Sequence, residues 1–162
     1  MSKKFVGKVS IVMLTLLPFL GSITYAQDNG ISEEDLRKYA ILSEVIDLMK
    51  KDLSAEVNNM IKSQEGMTGK RYKELSATKG DEAKLAEIEA KDFEIQFLKL
   101  VDDLKKERTS AIKLVNQELA TKMIGDRGKT YKSIKAELSS NAELKAQYDQ
   151  IVSGLKSNGS AD

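Results

Sequence analysis

Gly66-Met67-Thr68-Gly69-Lys70-Arg71-Tyr72-Lys73 reads Gly-x-x-Gly-Lys-x-Tyr-Lys, and Gly125-Asp126-Arg127-Gly128-Lys129-Thr130-Tyr131-Lys132 reads the same, 59 residues later. The offset carries outward without a gap. Leu75 aligns with Ile134, Ala83 with Ala142 and Leu85 with Leu144; upstream, Leu36 aligns with Ile95, Tyr39 with Leu98, Leu42 with Val101 and Met60 with Leu119. It fails at Ile46, which meets Lys105, and at Met49, which meets Arg108. A fixed-period match of small, aromatic and apolar positions marks a duplicated supersecondary unit, here two tandem repeats of 59 residues.

Each Gly pair predicts a corner between helices, because glycine tolerates the left-handed backbone that stops a helix. Before the first corner, Ser32 stands at an N-cap position with Glu33, Glu34 and Asp35 in the first turn. Leu36, Tyr39, Leu42, Ile46, Met49, Leu53, Val57 and Met60 then recur at steps of three and four, one apolar stripe on a helix ending near Lys62. After Gly69 the pattern predicts a short helix to about Ala77, a break at Lys79-Gly80-Asp81, and one long helix from Glu82 to Met123. Phe93, Leu104 and Val115 fall eleven apart on it, a spacing that need not impose left-handed coiling. Lys105 to Ser110 read as a solvated stretch or bend. Past Gly125 come a short helix through Tyr131 and Ile134 and a last one capped by Asn141. No segment alternates as a strand does. The expected fold is all-α, a single domain over residues 27–152 with two long helices packed antiparallel as a hairpin or bundle and short helices closing the ends. Residues 153–162, rich in Gly, Ser and Asn, are expected to form a flexible tail.

Residues 1–26 read as a cleaved signal peptide. Lys3, Lys4 and Lys8 precede an apolar run from Val9 to Leu20, and Thr24-Tyr25-Ala26 offers small residues for signal peptidase. The run is short for a bilayer span; the other reading of it is an uncleaved anchor. Cleavage removes three of the 26 basic residues and none of the 25 acidic ones, which leaves 23 against 25, a net −2. That balance gives no global field for nucleic acid, and no integral membrane segment is expected after cleavage. The chain has no Cys and no His, so disulfide staples and the usual zinc, haem and transition-metal ligands are missing. Its one proline, Pro18, lies in the signal; a Pro-free chain rich in Lys, Glu, Ala and Leu is biased to helix.

Chemistry is hard to assemble from what remains. A Ser–His or Cys–His nucleophile is impossible without His. Glu82, Glu87 and Glu89 lie among Lys79, Lys84 and Lys91, a solvated face rather than a tuned acid–base pair. Gly125-x-x-Gly128-Lys129-Thr130 is too short for a phosphate-binding P-loop and comes after a helix instead of a strand. Met49, Met60, Met67 and Met123 read as core filling before groove lining. The expectation is therefore no enzyme, no catalytic residue, no metal and no cofactor. Two readings of the corners stand side by side. In the structural one, Gly66, Gly69, Gly125 and Gly128 turn the chain while Tyr72 and Tyr131 plug the bundle ends. In the other, Lys70, Arg71, Lys73, Arg127, Lys129 and Lys132, beside free N–H groups at a helix start, hold an anion.

The opening Ser32-Glu33-Glu34-Asp35-Leu36-Arg37-Lys38-Tyr39-Ala40, with Tyr131-Lys132-Ser133-Ile134 and Asn141-Ala142-Glu143-Leu144 near the end, resembles a bacterial domain-of-unknown-function family of small exported helical proteins. Ala142 stands where that family commonly has Pro, and the Tyr corner occurs twice. The resemblance implies a periplasmic or secreted location and no catalytic residue. The functional expectation is an exported, non-enzymatic binding or scaffold module whose partner is an unknown protein or an anionic envelope component. The alternative is an ATP-independent periplasmic chaperone that leaves an apolar groove open.

Overall fold

A computed structural model describes residues 30–158; the signal read over residues 1–26 and residues 159–162 of the tail lie outside them. Among the described residues every regular element is helical, so the fold is all-α. The order is α1 (Glu33–Ser63), α2 (Gly69–Ala77), α3 (Glu82–Glu87), α4 (Asp92–Leu119), a π-helical turn (Ala120–Ile124), a 3-10 turn (Asp126–Gly128), α5 (Lys129–Ser140) and α6 (Ala142–Asn158).

The helix starts are set by the capping residues. Ser32 Oγ accepts from the Asp35 N–H at 3.0 Å, Asp81 Oδ1 from Lys84 N–H at 3.1 Å, and Asn141 Oδ1 from Leu144 N–H at 3.0 Å. These are orphan donors of a first turn satisfied by a short polar side chain. The start of α2 has a cap that the Gly-pair pattern does not reveal: Thr68 Oγ1 accepts from Arg71 N–H at 3.1 Å.

The expected long helix from Glu82 to Met123 does not form. It divides between α3 and α4 at Ile88–Lys91. Glu89 takes a left-handed φ of 50°, its N–H donates to Ala86 O, and Ala90 N–H donates to Leu85 O at 2.9 Å. That bonding is a Schellman motif with glutamate at the position glycine usually fills, so neither Gly nor Pro announces it. The Lys91 N–H then finds Glu94 Oε2 at 2.9 Å and α4 begins.

The last helix also departs from expectation. α6 continues through Ser153 and Gly154 to Asn158, where composition predicts a flexible tail. Lys156 Nζ lies 3.2 Å from Glu44 Oε1 and ties this stretch to α1.

The apolar stripes close in two clusters. One gathers Leu36, Tyr39, Leu42 and Ile46 of α1 with Ala120, Ile124, Ile134 of α5 and Leu144 of α6. The other gathers Val57 and Ile61 of α1 with Met67, Tyr72, Leu75, Leu85 and Phe97, Leu98 and Val101 of α4. Leu36, Leu42, Leu75, Ile134 and Val101 are the most deeply buried large side chains. Among the described residues the methionines serve packing: Met67 is buried, and Met49, Met60 and Met123 pack against the clusters.

Candidate functional site

The two corners share letters but not geometry. At the first, Gly66 alone supplies the left-handed turn, at φ 76°. A Cβ there would stand 3.2 Å from the Phe93 ring, so both conformation and space call for glycine. Gly69 does not turn the chain: it is the first residue of α2, its φ is not positive, and a Cβ on it meets open space. At the second, Gly125, Asp126, Arg127 and Gly128 all have positive φ, from 47° to 93°, after the π-helical turn has widened the end of α4. Of the four corner glycines, Gly66, Gly125 and Gly128 take a left-handed φ and Gly69 does not.

Both tyrosines enter the core, to different depths. Tyr72 is buried and packs edge-on to Phe97, ring centroids 6.3 Å apart. Its hydroxyl accepts from Lys105 Nζ at 2.7 Å. The ammonium is 5.2 Å from the ring centroid, close to the reach of ring radius, hydroxyl and hydrogen bond laid end to end. It therefore sits beyond the hydroxyl rather than over the ring face. Tyr131 is half-buried in a three-ring group, 5.2 Å from Tyr39, which in turn meets Tyr148 edge-on at 5.9 Å. Burial pushes the Tyr39 hydroxyl pKa up.

The six cations do not converge on one site. Arg71 is taken out of the anion set by the protein itself. Its Nε and one terminal nitrogen each lie 2.7 Å from the two oxygens of Glu94, and it also donates to Ile88 O at 3.1 Å and Glu89 O at 3.3 Å. One guanidinium thus bridges the end of α3 and the first turn of α4, a planar fork matched to a carboxylate. The Glu94 side chain is 4% exposed, yet the hydrogen bonds from Arg71 hold its pKa down to about 2 against the opposing effect of burial. Sequence reasoning misses this pair, because Glu94 looks like one more acid on a mixed helix face. Lys70, Lys73, Arg127, Lys129 and Lys132 are exposed, and among the described residues none has a carboxylate partner. Lys70 and Lys73 flank one core cluster and Lys129 and Lys132 the other.

The feature with room for a partner lies elsewhere. A cleft of about 590 Å³ opens between α3 and α4. Leu85, Ala86, Ala90, Ile95 and Leu98 supply its apolar lining. Glu82, Lys99, Asp102, Asp103 and Lys106 supply charged groups around it. Its size is in the range of ligand-binding clefts. Among the described residues no His, Cys, Asp and Glu group of three or more is placed to hold a metal, and no helix is long and apolar enough to cross a membrane.

Comparison with protein-family models, with curated proteins and with solved structures finds no match to this chain.

Proposed function

We propose that the chain is an exported, non-enzymatic helical protein, periplasmic or secreted, that acts as a binding or scaffold module. In this reading it consists of two tandem copies of one unit, with α1 and α4 running antiparallel. The clusters support that orientation. The last turns of α1, with Val57 and Ile61, meet the first turns of α4, with Phe97 and Leu98; the first turns of α1 meet the residues just after α4. Glu56 and Arg108 join the middles at 3.1 Å.

The duplication draws support from an exchange of roles. Tyr72, Leu75 and Leu85 pack in one cluster, and Tyr131, Ile134 and Leu144, each 59 residues on, pack in the other. Leu98 and Val101 complete the first cluster, and Tyr39 and Leu42, each 59 residues back, complete the second. Each unit's long helix closes over the other unit's corner, the arrangement of two copies related by a pseudo-twofold axis.

The observation that carries a binding role is the cleft beside α3: an apolar recess left open on a chain whose stripes are otherwise closed and whose sequence offers no His or Cys for catalysis. The chaperone alternative draws on Leu48, Leu100 and Leu114, exposed by 55%, 57% and 60%. An anionic envelope component is the second partner class, through the exposed Lys70, Lys73, Arg127, Lys129 and Lys132.

Expression of tagged full-length chain in a bacterial host, with intact-mass measurement and crosslinked capture from the envelope, tests the reading. The expected outcome is an exported protein beginning at Gln27 that carries one partner in near-stoichiometric amount. A mass retaining residues 1–26 overturns export as a cleaved protein. Stoichiometric suppression of client aggregation, without a discrete partner, gives the role to the chaperone reading.

A further inference from the structure

The cleft occupies the place that α6 takes at the other end of the molecule. Six positions on α4 border it, and the same offset of 59 pairs Ile95 with Leu36, Leu98 with Tyr39, Lys99 with Ala40, Asp102 with Ser43, Asp103 with Glu44 and Lys106 with Asp47. On α1 this face is covered. Leu36 and Ala40 are 1% and 0% exposed, Tyr148 of α6 packs on Tyr39, and Lys156 of α6 pairs with Glu44. On α4 Leu98 is buried at 4% exposure, but the face around it is open. Ile95 is 38% exposed, Lys99 is exposed, and Asp103 finds only Lys106 on its own helix, at 3.6 Å.

The reason lies in the period. Leu85 and Leu144 are equivalent, and each packs in the first turns of its helix. α6 runs 17 residues; α3 runs six. The second unit must begin at Asp92, the counterpart of Glu33, so the chain leaves α3 at Glu89 before the remaining turns can form. Arg71 pins that exit by bonding to Ile88 O, Glu89 O and Glu94. A tandem fusion with this period cannot supply its own covering helix at the first end.

We propose that the cleft is a docking site for one amphipathic helix of a partner protein, with the chemistry of the second half of α6: apolar side chains three and four residues apart facing Ile95 and Leu98, and a Lys or Arg reaching Asp103. This rests on the reading of the chain as a duplicated binding module and names the class of partner. The seated α6 shows both the apolar and the ionic complement for an equivalent face, and helix-in-groove recognition uses the same pairing of anchors. Ile95 and Ala90, over the buried Leu98, set the apolar anchor, and Asp103 sets register.

A synthetic peptide of residues 145–158 is the probe, held helical by a lactam between Asp149 and Ser153→Lys because so short a helix is marginal alone. Both staple positions are exposed on α6. Titrated against the chain from Gln27 to Asp162, the peptide is expected to bind saturably. Ile95→Glu should weaken it at least tenfold, with an unchanged circular dichroism melt. A Lys156→Glu peptide should bind several-fold more weakly to wild type and recover on Asp103→Lys. Absence of saturable binding up to the solubility limit of the peptide overturns the inference. So does binding indifferent to Ile95→Glu, which places the peptide at the seat of α6 instead. If envelope capture yields a partner that survives Ile95→Glu, the cleft is not its site while the binding role stands.

Discussion

At the Tyr72 end the chain turns once, at left-handed Gly66, and an ion pair of Arg71 with buried Glu94 holds the next joint. At the Tyr131 end four successive residues from Gly125 to Gly128 have positive φ, and three tyrosines with a long α6 fill the space. The two ends begin from the same eight-residue pattern, Gly-x-x-Gly-Lys-x-Tyr-Lys. They differ in the chain beyond the corner: α6 adds about three turns of helix that α3 lacks, because the chain turns at Glu89 and α4 begins at Asp92. Where apolar cover is missing, a bidentate charge pair and two carbonyl bonds fix the chain instead. At the offset of 59 residues Thr130 aligns with Arg71 and Asp35 with Glu94, so the Arg71–Glu94 pair has no counterpart at the other end.

The largest test of this contrast removes the polar lock. Glu94→Ala removes both charge-assisted bonds from Arg71 and uncaps Lys91; Arg71 keeps Glu74 at 3.5 Å and two carbonyls, so the cost should fall at the low end for a buried pair broken from one side, about 3 kcal/mol. Its counterpart Asp35→Ala loses only a first-turn capping partner, about 0.5–1 kcal/mol. Urea unfolding of the two variants should separate them clearly; equal losses would mean that the lock contributes nothing of its own. The same group sets an acid limb. The folded-state pKa of Glu94 is depressed to about 2 from the ordinary 4.5, so its contribution is fully present above pH 4.5 and is lost as pH falls toward 2. Glu94→Gln should flatten that limb of the stability profile.

Truncating the tyrosines comes next. Equal costs follow from the repeat alone, but the burial differs. Tyr72→Ala should cost about 3 kcal/mol, the scale for deleting a buried aromatic, and Tyr131→Ala about 1–2 kcal/mol because its ring is half covered. Matching losses would return the two ends to equivalence. The glycines sharpen the contrast at smaller scale. Gly66→Ala forces a left-handed alanine against Phe93, about 1–2 kcal/mol, whereas Gly69→Ala in an open first turn should raise stability by about 0.5 kcal/mol. Thermal melts of the pair decide whether Gly69 belongs to the turn.

Much of this is readable from side-chain spacing. The stripe from Leu36 to Met60 places α1 and its buried face, and the short polar residues Ser32, Asp81 and Asn141 mark starts that the structure keeps. The break between α3 and α4 is not readable, because the residue that turns there is Glu89 and its support comes from Arg71, 18 positions away. Long-range bonds of this kind leave no local signature. The end of α6 misleads for a related reason: Ser153 and Gly154 are weak helix formers, and tertiary contacts such as Lys156 with Glu44 outweigh that propensity. The cleft has no motif at all. It emerges only when the cover on two helix faces 59 residues apart is compared.

The smallest expected effect falls on the lysines that the two ends share. Lys70, Lys73, Lys129 and Lys132 are exposed and without carboxylate partners among the described residues. Changing all four to Gln removes no ion pair, so stability should stay within the few tenths of a kcal/mol typical of surface substitutions. That neutrality makes the variant a clean probe of the anion reading. Wild type should then retain an anionic polymer at low salt and release it as salt screens the charges, while the quadruple variant fails to retain it. Because the lysines divide between two corners on separate core clusters, Lys70→Gln with Lys73→Gln should remove about half of the salt-sensitive binding if both ends contribute. Full loss from one pair alone would make that corner the site. Equal binding by wild type and the quadruple variant would leave the corners with a purely structural role and direct the search for a partner to the cleft.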